Sequence, residues 1–320
     1  MKAAIGIDVG GTAVKAGVVD VNGGVRQKTS LATEADRGVE HVLSRLADLA
    51  RRLRAAAAAE GLDVCGVGLG MPGTLSRRRG VVIAPPNLPG WRDVPVVEWL
   101  SARIGMRVLL DNDANNAALG EYLLGAGRGV SDMVMLTLGT GIGGGIIHHG
   151  RLFHGARENA GELGHTIVQH GGRRCACGQL GCLEAYASAS STAARAAERL
   201  AAGSPSILRR VLESAGTLTA NDVLHAAQQG DPLAAEVWQG TCEYLAIGCI
   251  NAQCVLDPER IVLAGGMSAA GEALRQPVAE AVVRLASGML GTPPEVRLAE
   301  LGNDAGFIGS ALSILQDDAG

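Results

Sequence analysis

Hydrophobic and polar positions fall in distinct blocks along this chain. Ala3 to Asp20 runs apolar, glycine-rich, then apolar again: Ile5-Gly-Ile-Asp8, Val9-Gly10-Gly11-Thr12, and Ala16-Gly-Val-Val-Asp20. That pattern predicts two strands joined by a glycine turn. His41 to Ala59 is alanine-rich, with Leu43, Leu46, Ala50 and Leu53 at helical spacing, which predicts a helix with one buried face. Val64 to Met71 reads as a buried strand that Pro72-Gly73 breaks. Val108-Leu109-Leu110 predicts a short strand ending in Asp111-Asn112-Asp113, followed by a helix over 114–124.

The opening pattern then recurs. Met133-Val-Met-Leu-Thr-Leu138 leads into Gly139-Thr140-Gly141-Ile142-Gly143-Gly144-Gly145 and returns through Ile146-Ile147. Two copies of one strand–turn–strand unit suggest two related domains facing each other. Further on, Thr219-Ala-Asn-Asp222 and Asp231-Pro232 each start a helix, the first with a capping-box pattern and the second with proline in the first turn. Ile261-Val-Leu-Ala264 is a late strand followed by Gly265-Gly266. We therefore expect a smaller N-terminal α/β domain over 1–113 and a larger one over 114–305, with a closing helix at 306–320 packing back on the first.

Composition narrows the function. The 320 residues are 47% hydrophobic and 19% charged, which fits a globular chain with more than one core. A formal net charge of -4 gives no electrostatic footprint for nucleic acid. Arg51, Arg52 and Arg54 read as the wet side of a helix, and Arg77-Arg78-Arg79 as a hairpin tip. No signal peptide opens the chain and no apolar run could span a bilayer, so a cytoplasmic protein without membrane contacts is expected. Seven cysteines are an odd count for a disulfide framework. Cys65, Cys242, Cys249 and Cys254 sit in apolar contexts and read as small core residues.

Candidate chemistry lies in the turns. Glycine-rich turns expose backbone N–H groups to a phosphate. Neither turn matches a Walker loop or a strand-to-helix dinucleotide fingerprint, which disfavours those folds. Asp8, Thr12 and Lys15 around the first turn could instead position a metal-bound polyphosphate. Asp111 and Asp113, at a strand-to-helix junction, are equal candidates for a proton acceptor on these grounds, and Asp113 could instead cap the helix beginning at Ala114. His165 with Cys175, Cys177 and Cys182 forms a Cys3His set suited to a closed structural zinc site. An iron–sulfur cluster, normally held by four thiolates, is a weaker competitor.

Asp8-Val-Gly10-Gly11-Thr12-x-x-Lys15, Leu138-Gly139-Thr140-Gly141 with its following glycines, and Leu263-Ala-Gly265-Gly266 resemble the two phosphate elements and the adenosine element of the ROK family. That family contains bacterial sugar kinases and sugar-responsive repressors. The resemblance runs from residue 3 to about 312 and implies the actin/hexokinase (RNase H-like) α/β fold, two domains around a nucleotide–sugar cleft. It also separates the two aspartates. Asn112-Asp113-Ala-Asn is similar to the family motif in which the Asp is the catalytic base and the Asn touches sugar, leaving Asp111 as a solvated turn residue. Gly-Glu162-x-Gly-His165 and Cys182-Leu-Glu184 look like the glucokinase branch, including its zinc ligands. The resemblance implies that Glu162, His165 and Glu184 contact sugar, His165 using its second ring nitrogen. Asn87, in Pro-Pro-Asn87-Leu-Pro-Gly-Trp91, matches the family's sugar-side loop, with Trp91 a packing anchor. Ala13 and Asn116 depart from the common pattern, where many relatives carry Lys and Ala.

The resemblance thus implies ATP-dependent phosphorylation of glucose at its 6-hydroxyl, with Mg2+ accompanying ATP and zinc holding a loop, in a homodimer or homotetramer. Mannose, fructose, allose or N-acylmannosamine are alternative substrates. A ROK-type sugar-responsive regulator is the alternative of another class, disfavoured because the phosphate strand starts at residue 3 without a recognition helix before it. An actin-like or chaperone ATPase would have no use for glutamates around a zinc loop.

Overall fold

The computed structural model describes residues 1–85, 87–286 and 288–317. Pro86 of the sugar-side loop and the last three residues of the closing helix expected over 306–320 lie outside the described residues. The elements run β1 (Lys2–Val9), β2 (Ala13–Asp20), β3 (Val25–Ala32), α1 (Val39–Ala59), β4 (Asp63–Met71), β5 (Thr74–Ser76), β6 (Val81–Ala84), α2 (Val96–Ile104), β7 (Val108–Asn112) and α3 (Asp113–Leu124). There follow β8 (Met133–Leu138), β9 (Ile142–His148), β10 (Arg151–Leu152), α4 (Glu184–Ala187), α5 (Ala189–Ala201), α6 (Leu208–Ala215), α7 (Ala220–Gln228), α8 (Pro232–Leu256), β11 (Arg260–Ala264), α9 (Glu272–Leu285), β12 (Glu295–Leu298) and α10 (Ala305–Asp317).

Two five-stranded sheets share one plan. The first has the order β3-β2-β1-β4-β7 and the second β10-β9-β8-β11-β12. In each, the glycine hairpin is antiparallel, and the strands added beyond it, β4 and β7 or β11 and β12, run parallel. The two apolar–glycine–apolar blocks of the sequence are the equivalent hairpins β1–β2 and β8–β9. Parallel strands need crossovers, which α1, α2, α8 and α9 supply.

Each sheet has its own core. Leu43, Leu46, Ala50 and Leu53 of α1, the stripe read from the sequence, are buried against the first sheet. Arg51, Arg52 and Arg54 on the same helix are exposed. Leu183, Trp238, Leu245 and Cys249 pack with Val134 and Leu263 against the second. Cys242 is also buried, but Cys254 is exposed, a correction to its reading as a core residue. It falls on the wet side of α8 beside Val255, which is 80% exposed. The capping box at Thr219–Asp222 and the cap at Asp231 before Pro232 both form.

The closing helix is tied to the first sheet by backbone proximity. A Cβ at Gly6 would stand 1.7 Å from the Phe307 carbonyl oxygen, and one at Gly68 would stand 1.7 Å from that of Ser310. Only glycine lets α10 lie that close to β1 and β4. Helix α3 packs against both α10 and β9, joining the two halves. At its far end, buried Glu121 accepts backbone N–H groups of Ala126, Glu300 and Leu301. The catalytic candidate Asp113 therefore starts a helix anchored at both ends.

Candidate active site

The β1–β2 turn is held from behind. Thr33, fully buried, donates its hydroxyl to the Gly10 carbonyl at 2.6 Å and its N–H to the Thr12 carbonyl at 2.9 Å. Gly11 lies against the sugar-side loop, since a Cβ there would meet the Asn87 Cβ at 2.8 Å. Asp8 and Lys15 face each other across the hairpin. Burial pushes the Asp8 carboxyl up to about 6, with Lys15 pulling the other way. A first-turn close approach completes the setting, because a Cβ on Gly306 of α10 would touch the Asp8 carboxylate at 2.6 Å.

Asp113 is set by the β7–α3 junction. Asn112 is the N-cap: its Oδ1 accepts from Ala114 N–H at 2.9 Å and Asn115 N–H at 3.2 Å, leaving its amide NH2 as a donor. The capping role that Asp113 could have taken is thus filled by its neighbour. Asp113 Oδ1 accepts from Ala114 N–H at 2.8 Å, and among the described residues no side chain donates to this carboxylate. Its pKa is pushed up to about 7, first by burial and then by the charge of Asp8, with Glu162 adding to the rise and the Ala114 N–H opposing it. A carboxylate whose ionisation is hindered by burial and by a second carboxylate makes a site that would welcome a cation.

Glu162 and His165 come from the other half of the chain, around a single helical turn at Leu163–His165. His165 Nε2 stands 3.9 Å from Glu162 Oε2, while Nδ1 faces Cys175 Sγ at 3.7 Å. Glu184, the first residue of α4, touches both neighbours of this region. Its Oε2 accepts from Ile142 N–H at 2.9 Å, and its Oε1 lies 3.3 Å from Cys175 Sγ. A Cβ on Gly141 would fall 2.3 Å from Glu184 Oε2, so the second glycine turn is in direct contact with that carboxylate. On its other side the turn is open: among the described residues, nothing beyond chain neighbours comes within 4 Å of a Cβ built at Gly139, nor at Gly266. Thr140 is exposed at the tip. Gly265, at φ 83, packs on the Leu138 backbone and so places the late glycine pair beside the second turn.

The metal-ligand candidates converge. One ligand atom from each of His165, Cys175, Cys177 and Cys182 lies within 4.8 Å of all the others. Cys177 Sγ and Cys182 Sγ are 3.7 Å apart. A tetrahedron with metal–sulfur bonds of about 2.3 Å has edges of about 3.8 Å, so the spacing fits zinc. The loop is closed by a bridge between Arg174 and Leu180 and by Cys175 N–H to the Gln179 carbonyl at 2.9 Å. Burial pushes the Cys175 and Cys182 thiols up, whereas the Gln179 backbone N–H draws exposed Cys177 down. A second cluster, Asp132 with His148 and His149, faces solvent. Its carboxylate is already taken by the His148 ring, Ser131 and the His149 N–H.

Asp111 is not the solvated turn residue expected. It is 5% exposed and accepts from Arg77, His154, Asn115 and the Asn112 N–H. Local sequence could not show this, because Arg77 and His154 reach it from distant segments. Thr33 was also missed: it lies just past the end of β3, and nothing local in the sequence marks its role.

These features agree with known proteins. The model of the ROK family matches residues 4–317. The chain belongs to the ROK family. This ROK chain is 38% identical to a glucokinase of Halalkalibacterium halodurans, over 98% of its own length and 95% of the relative's. A ROK hexokinase from Thermus thermophilus superposes with a TM-score of 0.85 at 36% identity, covering 99% of this chain and 100% of that one. A ROK family glucokinase from Streptomyces griseus, solved with glucose and AMPPNP, gives 0.81 at 34% identity, with 98% and 99% covered. The fold is that of the actin/hexokinase architecture expected from the sequence.

The raised Asp113 pKa has a consequence for stability. Between the ordinary value of 3.8 and about 7, the native state keeps a proton that the unfolded chain has released. Stability is therefore lost as pH rises through that window. Asp113→Asn removes the loss, so at pH 8 the variant is expected to be more stable than the parent by on the order of 1–3 kcal/mol. The gap should close towards pH 4. Urea denaturation at the two pH values checks this, and equal midpoints at pH 8 would contradict the burial of the charge.

Proposed function

We propose that this chain phosphorylates glucose at its 6-hydroxyl with ATP as donor, using Asp113 as the base. The observation that carries the reading is the Asp113 carboxylate itself. It is half-buried, accepts from no side chain among the described residues, and feels the charges of Asp8 beside the first glycine turn and of Glu162. The glucose and AMPPNP complex of the Streptomyces griseus relative supports the same pair of ligands.

In this mechanism Asn87, the Asn112 amide, Glu162, His165 and Glu184 hold the sugar hydroxyls. Carboxylates suit that task because they accept charge-assisted hydrogen bonds in fixed directions. Gly10, Gly11, Thr12, Gly139, Thr140 and Gly141 present the phosphate-facing turns, Lys15 adds positive charge, and Gly265 with Gly266 leaves room for the adenosine. The 6-hydroxyl oxygen bonds to the γ-phosphorus, its proton passes to Asp113, and ADP leaves. Mg2+ bound with ATP would supply charge neutralisation beside Asp8, whose raised pKa marks a place for a cation. With Asp113 acting as base, kcat/KM for the sugar should fall on the acid side of about pH 7.

The proposal includes one zinc ion on His165, Cys175, Cys177 and Cys182, closed to water and structural, keeping His165 and Glu184 in place. It also divides the chain after residue 113, with α10 belonging to the first domain, and takes the protein to be a cytoplasmic homodimer or homotetramer. Among the described residues no helix is long and apolar enough to cross a membrane. Exposed Val255, Val283 and Leu285 on α8 and α9 offer apolar surface to a partner copy.

A coupled assay over a panel of hexoses with ATP and Mg2+ tests the substrate. Glucose is expected to give the highest kcat/KM, and a clear preference for mannose, fructose, allose or an N-acylmannosamine would replace it.

Zinc is tested independently. Elemental analysis should find one zinc per chain, and Cys177→Ala should lower that content while the protein stays folded on its two cores. Sugar KM should rise in that variant with nucleotide KM little changed. Metal-free protein working at full rate would remove zinc from the account.

A further inference from the structure

The β5–β6 hairpin ends in Arg77-Arg78-Arg79, which the catalytic arrangement leaves unused. Its residues nevertheless reach the other half of the chain. Arg77 Nε stands 2.9 Å from Asp111 Oδ2, the same oxygen that accepts from His154 Nε2 at 2.8 Å. Asp111 Oδ1 accepts from Asn115 Nδ2 at 3.1 Å and from the Asn112 N–H at 2.8 Å. One carboxylate therefore ties the hairpin, the β7–α3 junction and the segment after β10 together.

A second carboxylate does the same from the opposite side. Glu158 Oε2 accepts from Ser76 Oγ at 3.0 Å, and Oε1 accepts from the Arg78 N–H at 3.1 Å. Arg78 also donates from its guanidinium to the Ala156 carbonyl at 3.2 Å. Glu158 has φ 62, a backbone region that favours glycine. Yet its side chain is only 9% exposed. A glutamate held in that conformation with its carboxylate buried is being retained by its partners, not by its own backbone preference.

The segment gripped this way, 154–158, leads directly to Glu162 and His165. Asp111 is two residues from Asp113 in the chain. We infer that the β5–β6 hairpin is a clasp, in which Ser76, Arg77 and Arg78 hold segment 154–158 against the end of β7 and so fix the spacing between the base and the sugar-facing Glu162 and His165. The inference rests on the sugar-kinase reading. Arg77 and Arg78 are exposed at their outer ends, 37% and 73%, while the Asp111 and Glu158 carboxylates are 7% and 9% exposed. Loss of an arginine thus leaves a buried carboxylate short of a partner, and the segment would move out to hydrate it. These are positioning residues: they touch the loop, not the sugar.

The test compares the parent with Glu158→Gly, Arg77→Ala and Arg77→Lys. Glycine suits the backbone at 158, so Glu158→Gly removes the carboxylate without adding strain. Glu158→Gly and Arg77→Ala are expected to raise the sugar KM about tenfold, with kcat within about threefold and ATP KM unchanged. Arg77→Lys should recover most of the loss. Amide hydrogen exchange across 153–165 should be faster in Glu158→Gly than in the parent, a readout that needs no turnover. A parent inactive on every hexose would defeat the kinase reading while exchange still judged the clasp. Unchanged sugar KM with unchanged exchange would overturn the clasp, as would a rise in ATP KM equal to that for sugar.

Discussion

The arrangement depends on one electrostatic conflict: two half-buried carboxylates, Asp8 and Asp113, stand close enough that the charge of Asp8 hinders the ionisation of Asp113. In bulk solvent neither would be notable. Here Lys15 offsets part of the rise at Asp8, and backbone N–H groups at the start of α3 offset part of that at Asp113, which leaves the Asp113 carboxyl, at about 7, partly ionised at neutral pH. A base poised near the working pH can accept a proton from an alcohol without being satisfied beforehand. Turns and loops around it then decide which alcohol and which phosphate arrive.

Much of the fold serves to hold that conflict in place. Glycines at 6 and 68 let α10 lie on the first sheet, and its first turn closes on Asp8 through Gly306. Helix α3, with Asp113 at its start, is fixed at its far end by Glu121. The repeated sheet plan supplies a second glycine turn, and Glu184 joins that turn to the thiol loop. A disturbance at the thiols can therefore reach the second glycine turn by a short path through Glu184. The cleft is built from contacts between segments far apart in the chain.

That distance separates what the sequence reveals from what it hides. The paired glycine hairpins, the α1 stripe, the caps at Thr219 and Asp231, and the Cys3His set are local patterns, and each is found where its pattern places it. Asn112 as the helix cap could also have been read, since Asn and Asp compete for that position and the structure uses one for each task. The role of Asp111 could not, because Arg77 and His154 come from other segments. Glu158 looks like surface decoration until its positive φ and its hairpin partners are known. Cys254 shows the reverse error: an apolar neighbourhood in sequence can lie on the wet side of a long helix.

The most direct test of the central claim is the chemistry of Asp113→Asn, which keeps the shape of the side chain but removes the proton acceptor. Turnover with saturating glucose and ATP would be measured beside glucose affinity by calorimetry. With Asp113 as the base, kcat should fall by about 10²-fold or more while the glucose Kd stays within a few fold. Near-normal kcat would contradict it, and the proton acceptor would then have to be sought elsewhere in the cleft.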